Sequence, residues 1–195
     1  MNNRLSKLRS LLSTIGIFVA APILALILIN FVFQPYQVDG SSMEKTLQNN
    51  DRLIIWKLPK TISKITGNPY LPERNDIIVF SKPDLHQANG ESKQLIKRVV
   101  GLPGERVVVK NGKITIYNST NPNGFNPDIN QDYSANLPAK TGGDVDKVIP
   151  KNYVFVCGDN RPGSLDSRTF GPIPVEDIVG KLTVRFLPLG KFDRF

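Results

Sequence analysis

Read for apolar and polar positions alone, the chain changes character once, near residue 34. Residues 11–33 form 23 consecutive positions without a charge, and roughly 20 suffice for a helix to cross a bilayer. Pro22 interrupts the run, which membrane helices tolerate. Beyond it the apolar runs become short and β-branched: 53–56, 77–80, 95–100, 107–109, 114–117, 153–156 and 182–186. Their length and content predict strands. Asn111-Gly112 lies between two of them and predicts a tight hairpin, because both residues tolerate positive φ. Residues 43–47 could make one short helical turn, and no other stretch past residue 34 has a convincing helical period. Residues 118–147, rich in Asn, Pro, Gly and Asp, read as a loop-rich excursion from the sheet. The expected fold is mainly β, with one N-terminal transmembrane helix ahead of an all-β domain that carries this small insertion.

Charge sets the orientation expected of that helix. Arg4, Lys7 and Arg9 precede it, and positive charge stays cytoplasmic. The expected order is a basic cytoplasmic tail (1–10), an anchor (11–33) and an extracytoplasmic domain (34–195). The rival is a cleaved signal peptide with Val38 and Gly40 three and one positions before the cut, but its apolar region is usually about 7–15 residues. The net charge is +8 over 195 residues. Three of those charges are the topogenic ones, and anionic lipid headgroups account for the rest more simply than nucleic acid does. Cys157 is the only cysteine and His86 the only histidine, which excludes an intrachain disulfide and a Cys/His zinc site.

The candidate chemistry begins at Asp39-Gly40-Ser41-Ser42-Met43-Glu44-Lys45-Thr46-Leu47. A serine nucleophile needs a base within reach. His86 sits in a polar loop sequence, so lysine becomes the candidate. A lysine with its ordinary pKa near ~10.4 is protonated at neutral pH, so a basic one must be desolvated. Two positions compete. Lys45 completes a Ser-x-x-Lys spacing with Ser42. With Ser134-Ala135-Asn136 and Lys140-Thr141-Gly142 it mimics, in order, the motifs of penicillin-recognising enzymes. Those enzymes, however, need a large helical domain, and here the last two motifs nearly abut in one polar loop. Lys97 lies in the run 94–101, on a strand face shared with Leu95 and Val99. Its neighbour Arg98 keeps its proton and cannot serve as a base. Alternation does not say which of the two faces is buried.

The ordered set SSMEKTL, NDIIVF, KRVVGLPGE and GDNRPGSLDSRTFG resembles the motifs of bacterial type I signal peptidases, membrane-anchored Ser-Lys endopeptidases that remove signal peptides from exported preproteins. The resemblance covers the chain from the anchor to residue 186, apart from the insertion. It implies Ser42 as nucleophile and Lys97 as general base. It implies Ser164 as a hydroxyl bonded to that lysine, Asp166 and Arg168 as a bracing charge pair, and Asp159 and Asn160 as a supporting turn. It also implies substrates with small residues one and three positions before the cut, a membrane-bound monomer, no nucleic acid, and no metal or cofactor. Three positions depart from the family pattern: Lys45 replaces a usual proline, Asn75 a common glycine and Glu105 the usual aspartate; Gly40, as in other members, stands where some carry a serine that helps bind the oxyanion. A Ser-Lys protease related to self-cleaving repressors, which shares the dyad logic, and a non-catalytic tethered β domain are the remaining alternatives.

Overall fold

The computed structural model describes residues 2–86, 90 and 92–195, with side chains from residue 14 onward. Helix α1 (Asn2–Ile27) passes into one widened turn, Leu28–Val32. Within it, Thr14–Val32 is 19 residues of mean hydropathy 2.7 with no part buried in protein. The expected anchor ended at residue 33. Phe33 instead opens strand β1 (Phe33–Gln37), extended at φ −130°, ψ 146°. Two forces end the helix there. Phe33 pairs with Trp56 of strand β2 (Arg52–Trp56), and Gln34 precedes Pro35, a position that disfavours helix. β1 lies at the sheet's edge, where a proline is tolerated in a ladder.

A second helix, α2 (Leu58–Thr66), follows β2 and ends at Gly67, whose φ of 74° forms the left-handed cap. The sequence reading did not anticipate it. Leu58, Ile62 and Ile65 do recur at helical spacing, but no residue of α2 is buried, so a search for a core-facing stripe passes over it.

The remaining strands are β3 (Ile77–His86), β4 (Ser92–Gly101), β5 (Arg106–Lys110), β6 (Lys113–Tyr117), β7 (Val145–Val148), β8 (Tyr153–Cys157), β9 (Ile173–Pro174), β10 (Ile178–Leu187) and β11 (Asp193–Arg194). A short helix, α3 (Ser167–Phe170), lies between β8 and β9. The main sheet runs β1-β2-β10-β3-β4-β8-β9, with β11 on β10, and a smaller sheet runs β6-β5-β7. All named pairings are antiparallel. Asn111 and Gly112 make the β5–β6 turn with φ of 53° and 77°. β7 begins inside the stretch read as loop-rich; residues 118–144 are turns, one short 3-10 turn (Ser134–Asn136) and an isolated Phe125–Ile116 bridge.

Three apolar clusters hold this together. One packs Met43 and Leu47 against Leu53, Ile55, Ile77, Val79 and Leu182, and so roots the serine turn in the main sheet. The second joins Ile78, Phe80 and Val99 to Val154, Val156 and Ile178. The third lies between Val100, Phe155 and the smaller sheet. Gly101 sits at the edge of that last cluster, and a Cβ there would lie 2.5 Å from Ile149 Cδ1 and 2.8 Å from Val107 Cγ2. Gly101→Ala should therefore overpack the junction and cost about 1–3 kcal/mol, read as a lower midpoint in chemical denaturation.

Candidate active site

The turn after β1 presents the two serines differently. Gly40 takes φ +99° and its N–H donates to Asn49 Oδ1 at 3.0 Å. This turns the chain so that Ser41 is exposed, Ser42 half-buried, and Met43 buried at 1% exposure. Leu47 N–H donates to the Met43 carbonyl at 2.8 Å, closing the single helical turn. The carbonyls of both serines are held from the far side of the fold by one residue. Asn160 N–H donates to Ser42 O at 3.0 Å, and Asn160 Nδ2 donates to Ser41 O at 3.1 Å.

Strand β4 brings two buried cations to this turn: Lys97 is 2% exposed and Arg98 4%. Lys97 pairs across the ladder with buried Ile78. Its Nζ lies 2.6 Å from Ser42 Oγ and 2.8 Å from the Ile96 carbonyl, and no carboxylate among the described residues bonds to it. Burial lowers its pKa from the ordinary lysine value to about 8, against the pull of the Asp166 and Asp159 charges. Arg98 is satisfied on every side. Its Nε and Nη2 donate to Asp159 Oδ1 and Oδ2 at 2.9 and 2.6 Å, its Nη1 donates to the Asn75 carbonyl, and its guanidinium lies 3.6 Å from the centre of the Tyr133 ring.

The run 158–168 supplies the rest. Asp159, fully buried, also accepts from Thr46 Oγ1 at 2.6 Å, which ties the serine turn to β4. Asp166 caps α3 and accepts from Arg168 Nε and Nη2 at 2.8 and 2.7 Å and from Gly158 N–H at 2.9 Å. Burial alone would raise the Asp166 pKa, but the Arg168 hydrogen bonds and charge hold it below the usual carboxylate value. A Cβ on Gly158 would collide with both Ser164 Oγ and the Ser42 carbonyl, so glycine is what lets these two groups approach. Ser164 Oγ is buried with no well-formed hydrogen bond among the described residues, although it lies close enough to Asp166 to help lower that carboxylate's pKa. The bond to Lys97 expected of it is not formed here.

The structure thus brings Ser42, Lys97, Asp159, Asn160 and Ser164 around one point, with Asp166 and Arg168 bracing the loop. Lys45 stays on the exposed turn. Thr141 Oγ1 and Ser134 Oγ, from the two other penicillin-enzyme look-alikes, bond to Arg161 and the Asp128 carbonyl. His86 ends β3 and lines the same cleft as Lys97; part of its expected loop, residues 87–89 and 91, lies outside the described residues. That cleft, about 760 Å³, is lined by Tyr36, Val38 and Ser42 and by Gln94, Ile96 and Lys97 of β4. Sequence reasoning missed the insertion's share in the site. Arg161, 1% exposed, is paired to both carboxylate oxygens of Asp128 at 2.7 and 2.8 Å, and Tyr133 donates to Asn75 Oδ1 at 2.8 Å. Asn75 takes φ 74°, a left-handed conformation, and uses its side chain as a tether. Only Arg161, inside the longest motif, carried a signal that could have been read.

The family model "Signal peptidase, peptidase S26" matches residues 11–187. A probable signal peptidase I-2 of Synechocystis is 36% identical over 88% of this chain and 71% of its own length. Signal peptidase I S of Bacillus subtilis is 33% identical over 97% of this chain and 96% of its own. A solved signal peptidase I of Enterococcus faecalis V583 aligns with 57% of this chain and 97% of its own, at 31% identity and a TM-score of 0.44. The chain belongs to the signal peptidase I family, peptidases that remove signal peptides.

The clamp on Arg98 yields a stability prediction. Asp159→Ala leaves a buried guanidinium uncompensated and should cost about 3–5 kcal/mol. Thr46→Val removes one hydrogen bond to the same carboxylate and should cost about 1–3 kcal/mol, as charged acceptors do. Denaturant midpoints of the two variants check the order.

Proposed function

We propose that this protein is a membrane-anchored serine endopeptidase whose nucleophile is Ser42 and whose general base is Lys97, acting on signal peptides of exported preproteins on the extracytoplasmic side. The observation that carries this is the 2.6 Å contact of a buried ammonium, bonded to no carboxylate among the described residues, with a half-buried serine hydroxyl. Neutral Lys97 takes the Ser42 proton as Oγ attacks the scissile carbonyl. The oxyanion is met by the Ser42 N–H, which has no hydrogen-bond partner among the described residues, and Gly40 offers no side-chain donor to help it. Lys97 then protonates the leaving amine, and later activates the water that hydrolyses the ester.

The cleft beside Ser42, walled by Val38, Leu53, Val79 and Ile96, suits the small apolar side chains expected before the cut. Asp159, Asn160, Asp166 and Arg168 act as positioning residues, and Ser164 offers its buried hydroxyl beside the nucleophile's own backbone. Residues 14–32 serve as the anchor, and the nine residue steps from Phe33 to Ser42 limit the nucleophile to about 30 Å from it. No metal, cofactor or nucleic acid enters the scheme, and the working unit is a monomer.

Kinetics on a model signal peptide test it. Ser42→Ala, Lys97→Ala and Lys97→Arg should lose activity, the last because arginine keeps its proton, while Ser41→Ala and Lys45→Ala retain most of it. An active Lys97→Arg overturns the assignment. Because the base must be neutral, kcat/KM should fall about tenfold per pH unit below the Lys97 pKa and level off above it.

The same shift has a cost in stability. With its folded pKa at about 8, Lys97 holds its proton less tightly in the folded chain than in the unfolded one. Stability should therefore rise with pH from about 8 towards the ordinary lysine value, and below about 8 the full penalty, roughly 3 kcal/mol, is present. Lys97→Met should accordingly be inactive yet more stable at neutral pH. Thermal denaturation of the variant and the parent at pH 7 gives the comparison.

A further inference from the structure

Helix α2 is amphipathic in the wrong direction for a helix packed on a soluble core. At about 100° per residue, Leu58, Ile62 and Ile65 fall within roughly 60° of arc, and Lys60 and Lys64 lie opposite. A surface helix ordinarily turns its apolar stripe inward. Here Lys60 Nζ, from the polar side, is bonded to the carbonyls of Val175 and Glu176 at 3.1 and 2.7 Å. Along the stripe exposure grows, from half-buried Leu58 to Ile62 and Ile65 at 49% and 80%.

The helix is also fixed to the end of the apolar span. The last carbonyls of a helix need outside donors, and α2 with the residue before it supplies three. Lys57 N–H donates to Val32 O at 2.7 Å, Lys57 Nζ to Asn30 O at 2.9 Å, and Thr61 Oγ1 to Phe31 O at 2.8 Å. Ile65 and Lys64 line one cleft with Asn30 and Phe31, so the stripe cannot stand far from where the span ends. An exposed apolar stripe with lysines on its other side suits the boundary between acyl chains and headgroups.

We propose that α2 is a membrane-docking helix whose Leu58–Ile62–Ile65 stripe lies in the bilayer boundary and fixes the orientation of the catalytic domain on the membrane. This rests on the reading of residues 14–32 as a bilayer-crossing anchor, and the test separates the two. Trp56 is the sole tryptophan, so Trp56→Phe gives a silent background for the full chain in phosphatidylcholine/phosphatidylglycerol bilayers with brominated acyl chains. Into it go, singly, Phe31→Trp for the anchor, Ile65→Trp for the stripe, and Leu189→Trp for a distant exposed site. Leu189 lies past the end of β10 that pairs with Arg52, away from the Phe33–Trp56 end.

Bromolipid quenching of the tryptophans at 31 and 65, with the one at 189 unquenched, is the expected result. Quenching at 31 without quenching at 65 overturns the docking helix and leaves the stripe to a protein partner. No quenching at 31 overturns the anchor, and the docking with it. A second readout uses Ile62→Ser/Ile65→Ser together. Cleavage of a short peptide in detergent should be unchanged, while cleavage of a preprotein embedded in those bilayers drops several-fold. An equal loss in both assays overturns the proposal.

Discussion

Two cations on consecutive residues of one strand are taken out of water together, and only one of them is given a counter-charge. Arg98 can be buried only if its charge is matched, and Asp159 matches it with two hydrogen bonds. Removing one partner of such a buried pair costs several kcal/mol, so Asp159 is fixed, and what hangs on Asp159 is fixed with it. Thr46 carries the serine turn to the same carboxylate. Asn160, the next residue, grips the carbonyls of Ser41 and Ser42. The position of Ser42 is thus set by the needs of its neighbour's neighbour. Lys97, meanwhile, bonds among the described residues to a hydroxyl and a carbonyl alone. Its desolvation is not offset by a bonded carboxylate, and its pKa falls. The clamp and the weakened ammonium are two sides of one arrangement.

The strands were legible because each run of β-branched residues is long enough to report its own burial. The run 107–109, the Asn111-Gly112 turn and the run 114–117 emerged as β5, its tight turn and β6. What the pattern hid was structure whose apolar side does not meet the core. α2 has the spacing of a helix but turns its isoleucines outward. β1 lay concealed at the end of an uncharged run, where composition is the same whether the chain is helical or extended. Pro35 disfavours helix at Gln34, but it is the pairing of Phe33 with Trp56 that places the change at Phe33.

In the site, the motifs pointed to Ser42, Lys97 and the 158–168 run, while the contacts that organise them were out of reach. Thr46 and Asp159 are 113 residues apart, Arg98 and Asp159 are 61 apart, and Asp128 and Arg161 are 33 apart. Periodicity reports only on neighbours a few positions away. Tyr133 and Asp128 sit in a stretch whose composition says loop and nothing more. Yet one stacks on Arg98, and the other pairs with buried Arg161. With Arg168 also donating to the Gly142 carbonyl at 2.9 Å, the insertion is fastened to the site at three places. A long loop adds little closure entropy for its length, so a few charge-assisted bonds suffice to hold it against the sheet.

The ladder between β1 and β2 adds a constraint of a different kind. One end of it, Phe33 opposite Trp56, sits where the apolar span stops; the other, Gln37 opposite Arg52, leads straight into the serine turn. Five paired residues make a ruler of about 17 Å. A flexible linker of the same length would let Ser42 sample a wide range of heights above the helix exit. A strand hydrogen-bonded to its neighbour, with Val38 N–H donating to Asp51 O at 2.9 Å to extend the pairing past its end, allows much less. If α2 in turn lies in the bilayer boundary, the span is held at its exit by caps on three carbonyls and the domain is held against rotation about it. Height and orientation are then set by separate elements, β1 and α2, that meet at Trp56 and Lys57.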